Sequence, residues 1–145
     1  MKKVESKYCE YIRRIEGYLL GEYGVEVHYV PFGENAYYDN LAMIEIDAHQ
    51  NYKYRLYTLL HEAGHVMLRS SSNSAYESFK RQFPSMKVDN RDHRGNLDHR
   101  VDVLREEVIA WEKAATLSNQ LKIDLDHRSF ATHRNNCLKS YIKWT

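Results

Sequence analysis

Proline occurs only twice and glycine six times in this 145-residue chain. That scarcity excludes a collagen-like repeat or a linker-like chain, whose compositions are built on these two residues. Cysteine also occurs twice, as Cys9 and Cys137, far apart and in no Cys-x-x-Cys pair. A dense disulfide framework is therefore excluded. No apolar run approaches the roughly 18 residues that cross a bilayer, so no membrane partner is expected. The opening MKKVESKYCEYIRR is basic but interleaved with Glu5 and Glu10 and followed by Glu16, not by an apolar stretch. This gives no secretory signal and leads to the expectation of a cytoplasmic protein with reduced thiols.

Net charge is also nearly missing, at +1 from 21 basic and 20 acidic residues. Such a balance gives no global reason to expect a nucleic-acid partner. The distribution is uneven: residues 1–50 carry five basic and nine acidic groups, residues 51–100 nine and five, and residues 101–145 seven and six. The basic excess lies mostly between Arg69 and Arg100, the one segment where phosphate contacts have support. Asp89, Asp92 and Asp98 within it weaken that support. What the chain does have is 43% hydrophobic residues, enough for a core. Its length suits a single domain over residues 1–145.

Periodicity divides the chain into elements. Tyr8, Ile12, Ile15 and Leu19 recur at helical spacing, so Ser6 to Leu20 reads as a helix that Gly21 and Gly24 stop. VEVHYV, Val25 to Val30, alternates like a strand, and AMIEID, Ala42 to Asp47, is a second strand. FGENAYYDN between them reads either as an unusually long hairpin connection or as a short extra element. From Asn51 to Leu68 a helix places Leu56, Leu59, Leu60, Ala63 and Met67 on one face, with Asn51 or Asp47 as its cap. Residues 69–99 form a long polar, basic insertion without a sustained period, in which AYESFKRQF suggests a short helix. Helices are then expected at Val101 to Leu121 and Ser129 to Trp144. The fold class is α+β.

The chemistry concentrates in His61-Glu62-Ala63-Gly64-His65. Residues four apart on a helix project from one face, so His61 and His65 can offer ring nitrogens to one zinc ion. Glu62 is rotated by about 100° from His61 and can reach a zinc-activated water without ligating the metal. It would act as general base. Gly64 costs helix stability, about 1 kcal/mol against Ala, and suits a site where another element comes close. A random chain of this composition would contain H-E-x-x-H in roughly one case in thirty, so context matters. Here the motif sits among leucines, and buried polar groups need partners.

A catalytic zinc usually takes three protein ligands and leaves one position open. Glu106, Glu107, His93 and His99 are candidates for the third. Glu107 lies four residues after Val103 and four before Trp111, on the apolar stripe of its helix, whereas Glu106 is flanked by Asp102 and Ala110 and shares a more polar flank with Lys113. A carboxylate on the core-facing stripe has the greater need of a partner, which favours Glu107. Stabilisation of both by a helix N-terminus is the competing reading. It does not account for the apolar neighbours of Glu107.

LLHEAGH followed some forty residues later by REEVIAWEKA resembles the short gluzincin-type zinc metallopeptidases, in particular the ImmA/IrrE-like group of bacteria, phages and mobile elements. The resemblance covers about Ile44 to Leu121. It implies a small zincin-like α+β domain, with a short β-sheet packed against the H-E-x-x-H helix and a following ligand-bearing helix. It also implies one Zn2+ per chain on His61, His65 and Glu107, Glu62 as general base, Trp111 as a core aromatic, and a protein or peptide substrate. A phage-encoded member would act in the host cytoplasm. The chain is also similar, in its first motif, to SprT-like DNA-associated proteases, which would make His93 or His99 the third ligand; both lie in RDHRGNLDHR, whose polar residues read as a solvated surface. Peptide deformylases share that motif but need an upstream cysteine ligand near it, and Cys9 is remote.

Tyr76, Arg100, His127, His133 and Tyr141 are candidate donors to the oxyanion of a tetrahedral intermediate. The strand AMIEID is a candidate edge for aligning an extended substrate, provided an edge of it is free. The leading function is a zinc-dependent endopeptidase. A non-catalytic, metal-stabilised protein-binding accessory factor and a basic-loop nucleic-acid binder are the alternatives.

Overall fold

A computed structural model describes residues 3–70, 75–87 and 97–142. The first helix, α1, spans Lys3–Tyr23 and buries Tyr11, Ile12, Ile15 and Leu19. It runs through Gly21 and stops where Gly24 takes a left-handed φ of 66°, so that Val25 N–H reaches back to the Leu19 carbonyl at 3.2 Å.

Three strands follow: β1 (Glu26–Val30), β2 (Ala36–Tyr38) and β3 (Met43–Asp47). The sheet order is β1-β3-β2. β1 and β3 are parallel, pairing Val27 with Ile44 and Tyr29 with Ile46, and β2 is antiparallel to β3. Of the two readings of FGENAYYDN, the extra element is therefore the one realised, because parallel neighbours cannot be joined by a hairpin. The segment supplies β2 and a 3-10 turn over Asp39–Leu41. β3 lies in the centre with both edges covered, which overturns the expectation that AMIEID presents a free edge. β1 and β2 are the edge strands instead.

The second helix, α2, spans Tyr52–Arg69. Asn51 is its cap, accepting from Tyr54 N–H at 2.9 Å. Leu56, Leu59, Leu60 and Ala63 are buried as the stripe requires, whereas Met67 is only partly buried and Tyr57, Val66 and Leu68 are buried too. A helix that is apolar nearly all round is a helix between layers. On one side α2 packs on β2 and β3, and its most extensive packing is with α4 (Leu97–Gln120).

Within the 69–99 insertion, the short helix expected from AYESFKRQF is α3, Ala75–Gln82, followed by a 3-10 turn over Pro84–Lys87. His93 lies outside the described residues. α4 starts four residues ahead of Val101, which places Glu106 and Glu107 in its third turn. The helix-terminus reading of these two residues therefore does not apply. The last helix, α5, covers His127–Ile142 and anchors Phe130 against Tyr57 and Trp111. The architecture is the zincin-like α+β arrangement: a short sheet against the H-E-x-x-H helix, with the helix bearing Glu107 packed on that helix in turn. Among the described residues, no helix is long and apolar enough to cross a membrane.

Candidate metal centre

Gly64 explains how two helices bring their polar groups together. A Cβ at this position would collide with the backbone carbonyl of Ala110 on α4. Only glycine lets α2 and α4 cross this closely, and the crossing lies one turn from His61, His65, Glu106 and Glu107.

The three side chains expected to converge do so. His61 Nε2 stands 2.7 Å from Glu107 Oε2, and His65 Nε2 stands 3.3 and 3.4 Å from the two Glu107 oxygens. One ligand atom from each of the three lies within 4.8 Å of the others. Among the described residues this is the group with metal-binding geometry, and His99 is not part of it. His99 is buried in the first turn of α4, contrary to the solvated surface position expected for it.

Glu107 is only 9% exposed, which bears on the choice between the two glutamates. Glu106 is buried as well, at 4%, but it faces a different side of His65. Its Oε2 accepts from His65 Nδ1 at 3.0 Å and from Arg69 Nε at 2.9 Å, and its Oε1 accepts from Arg69 Nη2 at 2.8 Å. The expectation that Glu106 sits on a polar flank is therefore corrected: its burial is compensated by a bidentate arginine.

The electrostatics form one system. Burial acts to discharge His65, but hydrogen bonds to Glu106 and Glu107 outweigh it and raise its pKa to about 10. His61 moves the same way: burial opposes the shift, and Glu107 and Glu62 prevail. Burial acts to protonate Glu107, yet His61 and His65 hold it well below the ordinary carboxylate range. Glu106 is likewise lowered by His65 and Arg69 against the pull of burial. Two imidazoles and a carboxylate that stabilise positive charge between them are a donor set suited to a divalent cation, and the nitrogen–nitrogen–oxygen combination suits zinc.

Trp111 packs the outer face of His61, with ring centroids 4.3 Å apart and planes 8° from parallel. Glu62 is nearly buried, with Oε1 3.4 Å from His61 Nδ1, and it faces the same cleft.

That cleft has a volume of about 490 Å³. Its floor is the cluster. One wall is β2 with Ala36 and Tyr37, braced by Asn35, Gln50 and Thr58. Thr58 donates to Gln50 Oε1 at 2.9 Å, and Gln50 Nε2 donates to Asn35 Oδ1 at 2.9 Å. The opposite wall is α5, which presents His133, Cys137 and Tyr141.

Of the proposed oxyanion donors, His133 and Tyr141 line the cleft, whereas His127 and Arg100 do not. Tyr76 sits behind it, against the Arg69 guanidinium. Sequence reasoning missed Arg69, Gln50 and Cys137. Arg69 was readable as the next member of the 61-65-69 series on one helix face, and Cys137 as the middle of 133-137-141. Gln50 carries no such local signal. No family model matches the chain, and no curated protein or solved structure matches it.

Proposed function

We propose that the protein is a zinc-dependent endopeptidase of the gluzincin type, with an ImmA/IrrE-like kinship and a cytoplasmic setting. In this reading His61, His65 and Glu107 hold one zinc ion. The observation that carries it is the convergence of those three side chains on the floor of an open cleft, with Glu62 beside them and none of its oxygens in the triad. When bound, zinc supplies Lewis acidity and a water of lowered pKa.

The chain's own residues do the remainder. Glu62 takes the proton of the attacking water on its carboxylate and delivers it to the leaving amine. Tyr141 is kept protonated, because burial and then the nearby Glu107 charge raise its pKa. Its hydroxyl is thus a donor for the oxyanion that forms as the carbonyl is attacked. Trp111, stacked on His61, keeps that imidazole from turning away. β2, an edge strand whose Ala36 and Tyr37 line the cleft, offers backbone pairing to an extended peptide, the role first expected of the Ala42–Asp47 strand.

The test is Glu62→Gln. It should retain about one zinc per chain and lose peptide hydrolysis by about 10²–10⁴-fold, the usual share of a general base. Cleavage of an unstructured protein, followed by mass spectrometry with zinc measured on the same sample, decides it. Undiminished hydrolysis by the zinc-loaded variant would refute the assignment.

A further inference from the structure

The Glu106 carboxylate has no evident purpose in a three-ligand site, yet it is among the most buried charges of the molecule. Both of its oxygens are already engaged, one by His65 and Arg69 and the other by Arg69, and the Tyr76 hydroxyl hydrogen-bonds to the same carboxylate. A carboxylate so engaged would have to abandon a bidentate arginine to ligate a metal. Its effect on His65 is specific. With Nδ1 donating to Glu106, the ring presents Nε2, the nitrogen that faces Glu107 at 3.3 Å. The bond fixes both the tautomer and the ring plane.

Arg69 is in turn held from outside the site. Its guanidinium carbon lies 4.8 Å from the centre of the Tyr76 ring, and Lys80 covers the same ring at 5.0 Å. Tyr76 and Lys80 belong to α3, in the insertion. A continuous series of contacts therefore runs from α3 through Arg69 and Glu106 to a metal-binding imidazole.

We propose that Glu106 is the positioning residue of the metal centre and that helix α3, through Tyr76 and Arg69, sets its orientation and so the affinity for zinc. The proposal rests on the zinc reading above. It gives α3 a part in the metal site: removing its hold on Arg69 weakens metal binding.

Zinc affinity, measured by competition with a chromophoric chelator, tests it without recourse to activity. Glu106→Ala should bind zinc 10–100-fold more weakly than the wild type. Glu106→Gln keeps an acceptor for His65 and should lose only about tenfold. Tyr76→Ala should lose affinity in the same direction by several-fold. In the cobalt-substituted protein, Glu106→Gln should leave the visible spectrum of the metal unchanged, whereas Glu107→Gln should alter it.

Circular dichroism and metal-free melting establish that each variant is folded. If Glu106→Ala does not fold, Glu106→Gln carries the test. Wild-type affinity in a folded Glu106 variant would overturn the positioning role, and wild-type affinity in Tyr76→Ala would overturn the link to α3. A cobalt spectrum altered by Glu106→Gln would make Glu106 a ligand and overturn it too. A wild type that binds no zinc would instead sink the underlying peptidase reading.

Discussion

His65 and Glu107 are each costly to bury as ions and tolerable only as partners. The consequence is a pH dependence whose sign differs between the two. In protein stripped of metal by a chelator, the folded pKa of His65 is about 10 against an ordinary 6.5. Its pairing therefore contributes fully to stability below about pH 6.5 and is lost as pH rises through about 10. Glu106 and Glu107 have folded values below the ordinary 4.5. Their contribution is present above about 4.5 and is lost as pH falls through the lowered values. Denaturant midpoints of the stripped protein should fall on both sides of a maximum between about pH 5 and 6.5, and a flat profile would contradict the pairing. Zinc requires those imidazoles unprotonated, so loading at about pH 7 must release protons. Calorimetry in buffers of different ionisation heat reads the number released, and a buffer-independent enthalpy would show that the imidazoles are not the groups engaged.

The α2–α4 crossing makes Gly64 the sensitive point among the elements. Replacing a helical glycine with alanine ordinarily gains about 1 kcal/mol of helix propensity. Here the added methyl meets the Ala110 backbone, and overpacking of that kind costs about 1–3 kcal/mol. Gly64→Ala should thus lower unfolding stability despite its better propensity. It should also weaken zinc binding, because pushing the Ala110 turn outward carries Glu106 and Glu107 away from the imidazoles. A shift of the urea midpoint to higher concentration would refute the crossing geometry. The same crossing shows why much of the site was legible in the sequence. His61, Glu62 and His65 share one helix, and the apolar neighbours of Glu107 mark it as inward-facing. Both signals are local and periodic. Glu106 was misjudged because its compensating partner, Arg69, comes from another helix and cannot be inferred from its own neighbours. The sheet order was hidden for a similar reason. Whether FGENAYYDN forms a strand of its own decides whether β1 and β3 are joined as a hairpin or lie parallel, and AYY is too short to announce itself as a strand. His99 was judged by its polar surroundings, but once α4 begins at Leu97 it faces the core.

At the scale of the whole molecule, the candidate metal centre joins parts that are distant in the chain. α2 supplies His61 and His65 and α4 supplies Glu107, and both helices pack into the one core cluster with α1, the sheet and Phe130 of α5. An ion held between them binds the native state and finds no preformed site in the unfolded chain. It must therefore stabilise the entire fold by mass action, about 4 kcal/mol at a thousandfold excess over its dissociation constant. In a domain of this size that raises the melting temperature by on the order of 10 °C. The shift should appear in a single transition at every probe, because there is no second core to melt separately among the described residues. Trp111, stacked on His61, supplies an intrinsic signal at the centre itself, and far-ultraviolet dichroism reports the helices as a whole. The two should move together on adding zinc and return together on adding chelator. His61→Ala should abolish the shift, and because it also removes the stacking on Trp111 and the nearest partner of the buried Glu107, its metal-free melting temperature should fall below that of the wild type. Coincident melting curves with and without zinc in the wild type would mean that the three side chains hold no ion. The cluster would then be a buried ion pair whose role is to fix how α2 meets α4.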